Sequence, residues 1–142
     1  MSIASARLMF FLMPAGTYVW VIGSDLWPRA YLRAELIERG YDAVGFVTVR
    51  DAVINLYMQR QRPPALIVCD LHEQAFDERL AGALFKAGVP VLAVGGAPEA
   101  DDARVRNLPW AAFLRRPITI GTVADTVARL APPGATSGEE RV

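Results

Sequence analysis

The sequence is poor in the residues that build redox and metal sites, and neither sign of charge is in excess. Its 142 residues include one cysteine and one histidine, which excludes an internal disulfide and any cysteine-rich metal site. Lys+Arg and Asp+Glu are equal at 15 each, so bulk charge gives no reason to expect nucleic acid or an acidic membrane as a partner. Cys69 lies in an apolar segment and is predicted to be a small buried core residue, which is compatible with a cytoplasmic protein.

The two ends of the chain differ from its middle. Residues 8–13 form an apolar run after Arg7, far shorter than the ~20 residues that span a bilayer. A signal peptide has a similar order, but the run is short and a core strand follows at once. Residues 1–16 are therefore predicted to be an apolar extension, either flexible or packed on a partner. Residues 132–142 begin with Pro-Pro-Gly and are predicted to be a disordered tail, which leaves 17–131 as one domain.

Between the ends, five short apolar segments alternate with segments of helical periodicity. The apolar segments are typical of buried strands and cover residues 18–23, 42–47, 65–70, 90–94 and 111–114. The helical segments are predicted to bury Leu32, Leu36 and Ile37; Ala52, Val53, Leu56 and Tyr57; Leu80, Leu84 and Phe85; and Val123, Val127 and Leu130. The third helical segment is predicted to cover about residues 74–87, and a weakly amphipathic helix is predicted over 98–107. This alternation indicates an α/β fold, an open doubly wound parallel sheet with helices on both faces.

Asp70 ends the third apolar segment and is the first candidate for chemistry. Open α/β sheets place their sites at the carboxyl ends of the strands, where Asp70 is expected to lie. A carboxylate there accepts a phosphoryl group only with a metal ion and other charged groups around it. In the following loop, His72 is predicted to face solvent, and Glu73 is a metal candidate by adjacency alone. The glycines at 95 and 96 are predicted to form a turn rather than a phosphate cradle.

Several segments, in their order and spacing, carry a resemblance to a known family. They read Val21-Ile22-Gly23-Ser24-Asp25, Leu66-Ile67-Val68-Cys69-Asp70-Leu71, Pro90-Val91-Leu92-Ala93-Val94-Gly95-Gly96 and Ala112-Phe113-Leu114-Arg115-Arg116-Pro117. Over residues 18–130 the chain resembles the receiver domain of two-component response regulators, the CheY-like family. The resemblance implies a flavodoxin-like sheet of five parallel strands in the order 2-1-3-4-5. It also implies bacterial signal transduction, with Asp70 at the phospho-acceptor position.

The chain departs from the family at almost every other functional position. In receivers, an acidic pair after strand one holds Mg²⁺, and a Ser or Thr after strand four and a Lys after strand five bind the phosphoryl group. Here the acidic pair reads Gly23-Ser24, with Asp25 one residue further on, the hydroxyl position reads Gly95, and the lysine position reads Arg116. Arginine keeps the charge but has a different shape. Phe113 stands at the aromatic switch position and, without a hydroxyl partner, is predicted to be a fixed core residue.

These departures predict a degenerate receiver, a pseudo-receiver. Asp70 is interpreted as a vestigial acceptor paired with Arg116, with no catalytic residue, no metal and no cofactor. The predicted function is that of a stand-alone protein-interaction module, not an enzyme. One alternative is a functional single-domain response regulator, phosphorylated at Asp70 by a histidine kinase in a phosphorelay, with Mg²⁺ held weakly by Asp25 and Asp70. Another is a small nucleotide- or ligand-binding protein that uses the crevice near Gly23, Asp70 and Gly95.

A cluster of arginines and a tryptophan predicts where a protein partner binds. Arg104, Arg106, Trp110 and Arg115 lie close in sequence, and aromatic and Arg side chains are typical of interface hot spots. In receivers, the face made by the fourth helix, the fifth strand and the fifth helix is a common partner surface. We therefore expect a protein partner or self-association there, with no nucleic acid and no membrane span. Trp27 is a second tryptophan expected at the surface.

Overall fold

The computed structural model describes residues 16–58 and 62–134 and contains one five-stranded sheet. Its strands are β1 Tyr18–Ile22, β2 Asp42–Phe46, β3 Leu66–Asp70, β4 Val91–Gly95 and β5 Ala112–Arg115. All neighbouring strands pair in parallel, in the order β2-β1-β3-β4-β5. The predicted doubly wound sheet and its strand order are confirmed. The order reverses between β1 and β3, and this reversal opens a crevice at the carboxyl ends of these strands.

Helices cover both faces of the sheet. They are α1 Leu26–Glu38, α2 Val49–Met58, α3 Glu78–Lys86, α4 Ala97–Ala100, α5 Ala103–Arg106 and α6 Ile120–Leu130. Side-chain caps set several of the starts: Thr48 and Thr119 accept the N–H groups of Asp51 and Thr122 over 3.0 and 3.1 Å. Gly40 ends the α1 turn with a φ of 94°, a conformation that favours glycine.

Each face of the sheet carries its own apolar core, because successive strand residues point to opposite sides. On one face, Val19 and Val21 of β1 pack with buried residues of α1 and α6. On the other face, Trp20 and Ile22 pack with buried residues of α2 and α3.

Three predictions about the helices were wrong. Ile37 and Tyr57, expected inside, are 49% and 55% exposed, and the Tyr57 hydroxyl donates to the Ala83 carbonyl over 2.7 Å. The helix expected from about residue 74 begins instead at Glu78, where the Asp77 carboxylate accepts the N–H of Leu80 over 2.7 Å. The helix expected over 98–107 is two four-residue helices, α4 and α5, since Asp102 caps a new start.

Most of the predicted extension (residues 1–16) and most of the predicted tail (residues 132–142) lie outside the described residues. Within the described ranges, no helix combines the length and the apolar character that crossing a bilayer requires.

Candidate functional site

Both carboxylate oxygens of Asp70 have a hydrogen-bond donor. The residue ends β3, and its side chain is 19% exposed. Oδ2 accepts a charge-assisted hydrogen bond from Nη2 of Arg116, and Oδ1 accepts the backbone N–H of His72 over 3.0 Å. Arg116 follows β5, so the pair joins the ends of two strands separated by β4. The ion pair expected from the sequence is therefore present, and the guanidinium places a positive charge next to the acceptor-position carboxylate.

The hydroxyl position of the receiver pattern is filled by other side chains. A Cβ built on Gly95 would lie 3.1 Å from Cζ of Phe113 and 3.1 Å from Cβ of Glu99. Both separations are tight for a Cβ, so a serine or threonine here would displace its neighbours. Phe113 is half-buried and packs edge-on against Trp110, with ring centroids 6.4 Å apart. This packing agrees with the interpretation of Phe113 as a core aromatic. It also explains why position 95 is occupied by glycine, since a side chain there would meet the Phe113 ring.

The crevice above Asp70 is a shallow depression of about 310 Å³. Asp25, Asp70, His72, Glu99 and Arg116 all line it. The sequence did not predict Glu99 as a site residue, because it lies among small and acidic residues that form no recognisable motif. Its carboxylate accepts the Gly96 N–H over 3.0 Å, beside the place that the hydroxyl would occupy. An incoming phosphoryl dianion would meet this negative charge where the family pattern supplies a neutral donor.

Asp25 faces the loop after β3. Its Oδ2 lies 3.9 Å from Nε2 of His72, and Oε1 of Glu73 lies 3.7 Å from the same nitrogen. Each of these three exposed residues offers one possible metal-ligand atom, and the three atoms lie within 4.8 Å of one another. Ser24 Oγ donates to the His72 carbonyl over 3.0 Å and so ties the two loops together. His72 is exposed, as expected.

The residues at the crevice do not fit the Mg²⁺ site of the receiver pattern. Mg²⁺ prefers several oxygen ligands in octahedral geometry. The positions of the acidic pair are Gly23 and Ser24, and Oδ2 of Asp70 is already bonded to the guanidinium of Arg116. The single lysine of the sequence, Lys86, lies in the last turn of α3 and cannot replace the missing one. No chemical step through a metal follows from this arrangement.

Trp110, predicted to lie on the partner surface, packs largely inside the domain. The indole is half-buried between Phe76 and Phe85, and its Nε1 donates to the Val105 carbonyl over 2.8 Å. Trp110 is thus an anchor of the core under α5, and the expectation that it is exposed was wrong. The guanidinium groups of Arg104, Arg106 and Arg115 belong to exposed residues on this face.

Cys69 lies directly before Asp70 and is completely buried. Burial, and then the neighbouring charge of Asp70, raises the pKa of the thiol far above its ordinary value. The thiolate is the reactive form of cysteine, so Cys69 is unsuited to nucleophilic or redox chemistry. The packing agrees with its predicted role as a core residue.

Comparisons with solved structures identify the fold as that of receiver domains. A response regulator receiver protein from Pseudomonas putida is 26% identical, with a TM-score of 0.67, and the match covers 82% of this chain and 99% of that one. The chemotaxis response regulator CheY4 of Vibrio cholerae is 15% identical at a TM-score of 0.65, covering 80% and 98%. The receiver domain of NtrX from Brucella abortus is 15% identical at 0.64, covering 79% and 96%. No protein-family model matches the chain, and no curated protein matches it by sequence.

Proposed function

We propose that this chain is a degenerate receiver, a non-enzymatic protein-interaction module of two-component signalling that works without phosphorylation of Asp70. One observation carries the proposal, the ion pair between Asp70 and Arg116. The guanidinium neutralises the acceptor carboxylate and occupies one of its oxygens, which leaves that oxygen poorly placed to attack a phosphodonor. The Gly95 packing and the Glu99 carboxylate add to the same conclusion.

The ion pair between Asp70 and Arg116 gives the proposed module a neutralised acceptor position without phosphorylation. In a phosphorylated receiver, charge at the acceptor changes, and the aromatic switch follows it. Here Arg116 neutralises Asp70 and Phe113 packs against Trp110, so the surface of the proposed module does not depend on phosphorylation. The partner surface in this proposal is the exposed face of α5 and β5, where Arg104 and Arg115 lie 3.5 and 3.8 Å from Asp102 and Asp101 and the charge is therefore mixed. We also propose that the protein is located in the cytoplasm.

Intact mass after incubation with Mg²⁺ and acetyl phosphate tests the proposal. The wild-type protein is expected to stay at its unmodified mass, as is Asp70→Asn, with folding of both checked by circular dichroism. A phosphoryl adduct on the wild type that Asp70→Asn abolishes would contradict the proposal. It would instead support the functional single-domain response regulator.

A further inference from the structure

An apolar cavity of about 360 Å³ lies beneath the Asp70–Arg116 pair, between α1, α6 and the sheet. Its floor includes Val21 of β1, Val68 of β3 and Val123 of α6, all buried core residues. The cavity therefore reaches the inner face of the sheet. Its volume lies in the ~300–1,000 Å³ range of small-molecule sites. Its walls join β1 to β3, where the strand order reverses and open sheets bind their ligands.

The polar edge of this cavity carries more positive than negative charge. Asp70, Arg116 and Arg29 all line it, so two guanidinium groups face one carboxylate. Arg116 gives Nη2 to Asp70, and Arg29 gives Nη1 to the Gly23 carbonyl. Each guanidinium has five N–H donors, so both retain donors for a further acceptor. A ligand that carries one negative charge would balance the edge.

Two aromatic side chains stand at the rim. Trp27 and Tyr31 line the cavity, yet they are 64% and 58% exposed. Their rings stack on each other with centroids 5.9 Å apart. Large apolar side chains exposed beside an apolar opening are typical of a binding surface. Flat rings at the rim favour a planar or branched hydrocarbon over a strongly polar ligand.

We propose that this cavity binds a small monocarboxylate with an aromatic or branched hydrocarbon body. The body lies among Leu32, Val68 and Val123, and the carboxylate accepts hydrogen bonds from Arg116 and Arg29. Because Arg116 also holds Asp70, the bound carboxylate competes with Asp70 for the same guanidinium. Asp70 and Arg116 line the polar crevice as well as the cavity, so ligand binding changes the crevice.

Calorimetry with a matched pair of probes tests the proposal. The probe is 2-naphthoate, and its neutral counterpart is 2-naphthamide. We expect saturable binding of the acid, about tenfold tighter than the amide, as one charge-assisted contact predicts. Amide shifts in ¹H–¹⁵N spectra are expected to concentrate at Gly23, Leu32 and Val123, and to be absent at Ala83 on the other face.

Two variants separate the apolar and the charged contributions. Val123→Phe fills the cavity and is expected to weaken 2-naphthoate binding at least about tenfold. Because that change alters the core, a second arm leaves the apolar core intact: the triple variant Arg29→Gln/Asp70→Asn/Arg116→Gln keeps amide hydrogen-bonding groups at the edge but removes all three of its charges. In it the acid is expected to lose its preference over the amide. The control Arg115→Gln, next in sequence but outside the cavity, is expected to keep that preference.

Several results would overturn the proposal. They are no saturable binding of 2-naphthoate, equal affinity for the amide, or shifts confined to another surface. A wild-type dimer that Trp27→Ser dissociates would assign the cavity to a second copy of the chain. Binding by Phe10→Ser/Phe11→Ser but not by the wild type would assign it to the chain's own apolar run. These readouts do not involve phosphorylation, so this proposal and the preceding one fail separately.

Discussion

Helices α1 and α6 cover the same face of the sheet, and the two ends of this helix pair are built differently. At the carboxyl ends, Tyr41 Oη donates to the Ala131 carbonyl over 2.6 Å, and Thr17 Oγ1 donates to the Pro132 carbonyl over 2.8 Å. At the amino ends, the pair borders the cavity and the Asp70–Arg116 pair. We name these regions the closed end and the open end.

The closed end also carries charge at the surface. Arg39 bonds to Asp125 over 2.7 Å and to Glu35 over 2.8 Å, and these hydrogen bonds raise the pKa of Arg39, the contact with Asp125 most. Arg39, at the end of α1, thereby links this helix to Asp125 of α6. Stability and binding capacity are therefore divided along one helix pair. The closed end stabilises the domain, whereas the open end leaves apolar surface available.

Leucine truncation should give the largest contrast between the two ends. Leu36 is completely buried, whereas Leu32, one turn earlier on α1, lines the cavity. We expect Leu36→Ala to lower the free energy of unfolding by about 4 kcal/mol and Leu32→Ala by about 2 kcal/mol, because a side chain beside a cavity has fewer contacts to lose. Urea unfolding measures both. Equal losses would contradict the division of the helix pair.

Removing the cation of the open end should have the next largest effect. Arg116→Gln leaves the Asp70 carboxylate partly buried without its partner, and we expect a loss of about 2 kcal/mol, reduced from the fully buried case by solvent screening. Arg115→Gln is the control, since Arg115 is exposed and lies 3.8 Å from Asp101, and it should change stability by less than about 0.5 kcal/mol. Adding Asp70→Asn to Arg116→Gln should recover most of the loss. A double variant no more stable than Arg116→Gln would show that the ion pair is not the cause.

Glycine substitution tests the packing above the crevice. Gly95→Ser must shift both Phe113 and Glu99, so we expect a loss of about 1.5 kcal/mol in the free energy of unfolding. The matched change Gly96→Ser meets its nearest side-chain atom, Cδ of Pro98, at 3.6 Å, which is ordinary contact, and should be near neutral. Thermal unfolding of the two variants gives the comparison. If Gly95→Ser were as stable as the wild type, Phe113 would have to be free to move aside.

The sequence predicted the sheet and the Asp70–Arg116 pair, but it did not predict the open end. Alternating apolar segments and helical stripes define strand order and cores, and the ends of parallel strands bring Asp70 and Arg116 to one edge. The cavity depends instead on how far α1 lies from α6, which no local pattern encodes. For the same reason, Trp110 was expected at the surface, since its partners Phe76 and Phe85 are distant in sequence. Contacts between distant segments decide these features.

Adding one methylene group to α6 gives the smallest and sharpest contrast. Val123 lines the cavity, whereas Val127, one turn later, is fully buried away from it. Val123→Ile places a methyl group in open apolar space and should raise the free energy of unfolding by about 0.5 kcal/mol. Val127→Ile inserts the same group into close packing and should lower it by about 1 kcal/mol. Opposite signs in urea unfolding would mean that the cavity persists in solution, because only a real space accepts the added group. A loss in both variants would mean that α1 and α6 close together there, and the open end would then be as well packed as the closed one.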